Sequence, residues 1–137
     1  MSNIYAPNGS SWGVTYTWVQ GDTINDSVTV ASPLITVQLY TFWFTIKYLY
    51  GAPDPQAIFQ ATWTASGGSG TLSTAIQATH AQTLALPPGN NYTFDWIMID
   101  ASLNETTLMT SAGQPTNSGQ PGNAGAMIIL PRSTLSH

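Results

Sequence analysis

One stretch constrains the fold of this chain more than any other. Residues 86–97 have the sequence LPPGNNYTFDWI, in which a turn rich in proline and glycine runs directly into a segment with an aromatic residue at every second position. Proline favours turns because its ring presets the backbone angle φ. Alternation with a period of two is typical of a strand with one buried face. The stretch therefore predicts a corner at which the chain enters a strand of a β-sandwich.

Further strands are predicted by the same alternation. The strongest is 41–50, whose predicted core face carries Phe42, Phe44, Ile46, Tyr48 and Tyr50. Weaker patterns predict strands at 14–19, 24–30, 34–39, 57–64, 71–76 and 105–112, and one or two helical turns at 78–84. A glycine-rich turn at 66–70 predicts a hairpin. Short strands separated by turns predict an all-β fold, an immunoglobulin-like antiparallel β-sandwich.

The composition divides the chain into three regions. Its 137 residues suffice for one domain with a substantial core, which we expect at 14–113. Residues 1–13 are predicted to be an N-terminal arm. The stretch 114–125, rich in Gly, Pro, Asn and Gln, has no periodicity and cannot bury enough apolar surface to offset the entropy of ordering. We therefore expect 114–137 to be a C-terminal arm that orders mainly against neighbouring subunits and can be removed without unfolding the sandwich.

A compact apolar run, 126–130, interrupts the C-terminal arm and ends at Pro131. One interpretation is that it pairs with a neighbouring subunit by strand addition. The other is that it forms one more strand of the same sandwich, and the sequence leaves both open. The first interpretation predicts five partner-binding residues, one of them in the N-terminal arm: Met127, Ile128, Ile129, Leu130 and Trp12.

The chain carries few charges for its length. The cations are Lys47 and Arg132, and the anions are Asp22, Asp26, Asp54, Asp95, Asp100 and Glu105. Two cations cannot form the basic surface that nucleic acid requires, and an anionic membrane is excluded for the same reason. Solubility normally relies on more surface charge, whereas the cores of interfaces are depleted of it. The composition therefore favours a surface partly buried by partners, and the alternative is a soluble β domain from an organism that tolerates low charge.

No catalytic, cofactor-binding or metal-binding residue is predicted. Asp22 and Asp26 are too few for calcium, which takes six to eight oxygens. Asp95 and Asp100 have opposite parity on a strand and so project to different faces. The chain has no nucleophile-elbow sequence whose serine His80 could activate as a base, and it has no cysteine. These observations predict a protein that is not an enzyme and needs no cofactor.

The segment order resembles the N-terminal immunoglobulin-like domain of phage baseplate upper proteins. The residues that carry the resemblance are, in chain order, 21–23 (GDT), 40–47 (YTFWFTIK), the corner at 86–95, 107–108 (TL) and Gly113. The resemblance implies a structural protein of the virion without catalytic residues. Its implied partners are the major capsid protein or other virion subunits, and the chain is expected to form a homo-oligomer on the particle.

Two further features refine what the resemblance implies. This sequence lacks the long C-terminal extension that baseplate upper proteins use for assembly, so the expected role is capsid decoration or cementing, with a tail or baseplate adaptor as the alternative. The corner also resembles that of fibronectin type III domains, where a leucine, here Leu86, precedes a tyrosine, here Tyr92, by six residues. That resemblance implies that the Tyr92 hydroxyl bonds back to the chain.

The tryptophan content keeps a different class of function open, a carbohydrate-binding module for host adhesion. The chain has five tryptophans: Trp12, Trp18, Trp43, Trp63 and Trp96. Most are expected in the core or in interfaces, because the indole ring supplies a large buried area. A flat row of three exposed aromatic side chains on one face would indicate carbohydrate binding.

Overall fold

The computed structural model describes residues 2–5 (backbone only), 13–48, 54–111 and 125–132. The described ranges contain nine strands, one short helix and a 3-10 turn at Asp54–Gln56. The elements are β1 (Ser2–Tyr5), β2 (Tyr16–Val19), β3 (Ile24–Ala31), β4 (Leu39–Lys47), β5 (Phe59–Ser66), β6 (Thr71–Ala78), α1 (His80–Leu84), β7 (Gly89–Ile99), β8 (Glu105–Thr110) and β9 (Met127–Leu130).

The strands form two sheets that pack face to face. The smaller sheet has the order β1-β3-β6, and the larger has the order β2-β9-β7-β4-β5. The strand β8 pairs with the second half of β7, while β9 pairs with its first residues. Most pairs are antiparallel, and β1–β3 and β2–β9 are parallel. The predicted all-β, immunoglobulin-like sandwich is confirmed.

Aromatic rings fill the space between the sheets. Trp96 and Phe42 are fully buried, and their ring centroids lie 5.8 Å apart in a stacked arrangement. Trp18 stacks on Phe44 with centroids 5.6 Å apart. The predicted core face of β4 is confirmed for Phe42, Phe44 and Ile46. It is wrong for Tyr48, which is 55% exposed, because β4 ends at the preceding residue. Tyr50 lies outside the described residues.

The corner predicted before β7 is confirmed. The hydroxyl of Tyr92 donates a hydrogen bond to the carbonyl oxygen of Pro87 at 2.8 Å. Leu86, at the start of the corner, is buried. Burial raises the pKa of Tyr92, and the nearby Tyr48 raises it further, so the ring keeps the proton that it donates.

The hydroxyl of Tyr92 can be tested against that of Tyr16, which is buried with no hydrogen-bond partner in the described part of the chain. Tyr92→Phe should lower the free energy of unfolding by about 1 kcal/mol, because it removes a bond and leaves a carbonyl without its donor. Tyr16→Phe should be neutral or stabilising, since it removes a desolvated hydroxyl. Urea unfolding of both variants measures the difference. Equal losses would contradict the role of the corner.

The predictions for two connecting segments, a strand at 34–39 and a hairpin at 66–70, are wrong. Residues 34–39 do not form a strand before Leu39. They belong to a turned connection in which the Ile35 amide bonds to the Ser32 carbonyl at 3.1 Å. The glycine-rich turn 66–70 is not a hairpin, because β5 and β6 belong to different sheets. It is a crossover between the sheets, and glycine is needed where the crossover packs closely on its neighbours.

The prediction that the C-terminal arm orders against a neighbouring subunit is wrong for residues 127–130. These residues form β9, which inserts between β2 and the start of β7 in the larger sheet. Met127 and Ile129 are buried in the core because alternate residues of the strand face the smaller sheet. The Gly125 amide donates a hydrogen bond to the Ser111 carbonyl oxygen at 2.8 Å, so Gly125 lies beside the end of β8. Of the two interpretations of this run, the integral strand is correct.

The expected N-terminal arm is also partly corrected. Ser2–Tyr5 is β1, which pairs in parallel with β3 of the same chain and extends the smaller sheet. Residues 6–12 lie outside the described ranges. The backbone of 2–5 is therefore ordered by this chain's own sheet rather than by a neighbouring subunit.

Candidate functional site

The structure separates the residues predicted to bind a partner. Met127 and Ile129 are buried in the core and cannot contact another protein in the folded chain. Ile128 is half-buried, and Leu130 is 44% exposed beside the start of β7. Trp12 lies outside the described residues. The apolar run therefore provides at most one exposed contact, at Leu130.

A more continuous candidate lies at the opposite end of the sandwich, where three connections meet. We call it the loop end and define it by residues 32–39, 67–70 and 100–104. Hydrogen bonds link the first two connections, from the Gly70 amide to Ile35 and from the Gly67 amide to Gln38, at 3.0 and 2.8 Å. The Gln38 side chain accepts the Ala101 amide of the third at 2.9 Å. The loop end is thus held as one unit.

Asp100 shapes the third connection. Its carboxylate accepts the backbone amides of Ser102 and Asn104 at 2.9 Å, and the side-chain amide of Asn104 at 3.0 Å. These bonds, those from Asn104 foremost, lower the pKa of Asp100. The bonds are therefore present at and above the pKa of an unfolded aspartate and are lost only as the pH falls through the lower folded value.

The ordered turn presents a leucine in a strained backbone conformation. Leu103 has φ of 68° and is the only non-glycine residue with positive φ in the described ranges. Its side chain is 80% exposed. Strain of this kind costs of order 1–3 kcal/mol and clusters at functional sites. Neither the hydrogen bonds of the turn nor the core requires a leucine at this position.

Exposed apolar side chains concentrate at the loop end. Six large apolar side chains are exposed in the described part of the chain, and four of them belong to these connections. The four are Leu34 (62% exposed), Val37 (81%), Leu39 (55%) and Leu103 (80%). A cleft of about 300 Å³ opens between two of the connections and is bounded by Leu34 and Asp100. Clustered exposed apolar residues mark interaction surfaces more often than isolated ones do.

A second concave site lies on the outer face of the larger sheet. This cleft of about 290 Å³ is lined by residues of β4, β5, β7 and β8: Trp43, Thr45, Lys47, Gln60, Asp95, Ile97, Ile99 and Glu105. We call it the outer-face cleft. It brings Asp95 of β7 and Glu105 of β8 into the lining of one cleft, an arrangement that comparison of positions within one strand does not reveal. The signal that could have found it is the turn at 100–104, which folds β8 back beside β7.

The other residues considered in the sequence have structural contacts. The Asp22 carboxylate forms an ion pair with Arg132. The ring Nδ1 of His80, which is half-buried, lies 2.6 Å from the Gly21 carbonyl oxygen. Burial raises the pKa of Asp26. In the described ranges no three histidine, aspartate or glutamate side chains are grouped so that they could hold a metal ion.

The four tryptophans in the described ranges do not form the flat exposed row that would indicate a carbohydrate platform. Trp18 and Trp96 are buried, and Trp63 is half-buried and stacked on Phe42 with centroids 5.7 Å apart. Trp43 is half-buried and lines the outer-face cleft. A sugar ring in the outer-face cleft would therefore pack on the indole of Trp43.

Comparison with known proteins adds no family. No protein-family model matches the sequence, and no curated protein matches it significantly. Among the helices of the described residues, none has the length and apolar character needed to cross a membrane.

Proposed function

We propose that this chain is a structural protein of a bacteriophage particle and that it decorates or cements the capsid through protein contacts. It has no catalytic role and no cofactor in this proposal. The resemblance in segment order to a phage virion domain supports a place in the phage particle. The low charge of the chain supports a surface that other subunits cover. The main observation in favour of a protein contact is the set of four exposed apolar side chains at the loop end.

The architecture of the loop end suits a docking role. The three connections are cross-linked by hydrogen bonds, so little conformational entropy is lost when a partner binds. The apolar residues stand on a rigid sandwich, and the partner is the major capsid protein or another virion subunit. Each fully buried leucine or valine contributes about 1.5–3 kcal/mol, which makes a small patch sufficient when many copies assemble.

The proposal is tested on purified particles of a phage that encodes the chain. Mass spectrometry should find the protein in the particles in many copies, and electron cryomicroscopy should place it on the capsid with the loop end at the contact. Density on the tail would replace capsid decoration by the tail or baseplate adaptor. Absence from the particles would overturn the proposal altogether.

A double substitution tests the loop end directly. Val37→Ser combined with Leu103→Asn should reduce binding to undecorated particles at least tenfold, because it removes the two most exposed large apolar side chains of the described ranges. Asparagine tolerates positive φ, so the turn is preserved. Binding is measured by co-sedimentation.

Leu130→Ser provides the matched control, since it removes an exposed apolar side chain beside the start of β7, away from the loop end. This control should bind like the unsubstituted protein. If Leu130→Ser lost binding and the double variant kept it, the contact would lie at β9 instead.

A further inference from the structure

We propose that the outer-face cleft binds one neutral hexopyranose ring of a carbohydrate. This site is separate from the loop end and does not depend on the proposed role in a particle. It is built from β4, β5, β7 and β8, whose outward residues meet in the cleft. Its volume, about 290 Å³, lies just below the range of about 300–1,000 Å³ for small-molecule sites, which suits a single ring rather than a larger ligand.

The strand register places an apolar floor at the centre of the cleft. Trp43 of β4 lies directly opposite Ile97 of β7, and Ile99 is the next outward residue on β7. Trp43, Ile97 and Ile99 are all half-buried, so their apolar surfaces are partly accessible from the cleft. The CH groups on one face of a pyranose ring form an apolar patch, and an indole ring offers a large, rigid apolar surface to pack against it.

Polar groups flank this floor on two sides. On one side Thr45 of β4 lies between Gln60 of β5 and Asp95 of β7. On the other, Glu105 of β8 pairs with Ile99. The Gln60 side-chain amide donates to the Thr45 hydroxyl at 3.1 Å, which orients its carbonyl oxygen as an acceptor. Amide and carboxylate acceptors around an apolar floor match the hydroxyl groups at the rim of a sugar ring.

The charges of the cleft select against anionic sugars. Asp95 and Glu105 carry two negative charges, and Lys47 is the single cation in the lining. The net charge of the lining is therefore negative at neutral pH. A carboxylate-bearing sugar such as glucuronic acid would meet repulsion, whereas a neutral ring exchanges hydroxyl-to-water bonds for hydroxyl-to-carboxylate bonds.

The experiment is a titration of ¹⁵N-labelled protein followed by NMR. The probes are methyl glycosides of glucose, galactose, mannose and N-acetylglucosamine, and methyl glucuronide as the anionic comparison. At least one neutral glycoside should shift the Trp43 indole NH signal with a millimolar dissociation constant. The glucuronide should bind at least tenfold more weakly. If no neutral glycoside shifted this signal, or if the glucuronide bound equally well, the proposal would be overturned.

Two variants locate the site. Trp43→Ala should weaken binding at least tenfold, and Gln60→Ala, at an exposed position that leaves the core intact, should weaken it severalfold. Leu103→Asn at the loop end is the control and should bind unchanged. Should Trp43→Ala fail to fold, Gln60→Ala decides alone. Retained affinity in the folded variants would exclude the cleft, and neither result bears on attachment through the loop end.

Discussion

Removal of residues 114–137 should unfold the sandwich rather than release a dispensable arm. The deletion takes away β9, whose residues Met127 and Ile129 are fully buried. Burial of these two side chains contributes about 3–6 kcal/mol in total. The deletion also strips β2, which carries the buried Trp18, of the strand with which it pairs. A typical domain has about 5–15 kcal/mol of stability, so these losses together should exceed what the fold can sustain.

Circular dichroism and thermal melting measure this outcome. The truncated chain should show no cooperative transition, whereas a chain ending at Arg132 retains β9 and should melt like the intact protein. Two point variants test whether β9 contributes through its buried side chains. Ile129→Asn should cost several kcal/mol, and Leu130→Asn, on the exposed side, should cost little. A cooperative transition in the deletion at an unchanged temperature would restore the arm interpretation.

Gly67→Ala should destabilise the protein and distort the loop end. A methyl group at this position would lie 2.5 Å from the Thr36 carbonyl oxygen and 2.6 Å from a ring carbon of Tyr40. Backbone cannot yield cheaply, and Tyr40 is itself buried. The expected loss is about 1–3 kcal/mol or more, the range for overpacked sites.

Gly68→Ala is the natural comparison, because its nearest neighbour, the Thr71 carbonyl oxygen, is 3.3 Å away. Urea midpoints of the two variants should differ clearly, and only Gly67→Ala should shift the amide signals of residues 34–38 strongly. Similar stability of both variants would mean that the crossover is less closely packed than the structure indicates.

The alternation of apolar residues was sufficient to predict a strand where one face of that strand packs in the core. The alternation through Tyr92, Phe94 and Trp96 predicted both the corner and its buried face, because the period of a strand is a local property. It failed at Leu34 and Val37, where apolar residues lie in a connection and face outward. Apolar composition alone cannot distinguish a short buried strand from an exposed loop, since the difference lies in the partners that surround each one.

The pairing and register of strands that are distant in the chain could not be predicted from the sequence. The run ending at Leu130 has strand character in either interpretation, and only the pairing with β2 and β7 decides between them. The outer-face cleft shows the same limit. Asp95 and Gln60 lie on either side of Thr45 because three strands share one register, and no spacing within a single strand encodes that register.

The parallel pairing of β2 with β9 has a consequence for how the protein is made. It places Tyr16 beside Met127, roughly 110 positions apart in the chain, and contacts of such long range slow folding towards milliseconds to seconds. During translation the first of these strands leaves the ribosome long before its partner. Trp18 then has no completed sheet to enter, and the nascent chain must keep this indole out of wrong associations until β9 has been synthesised.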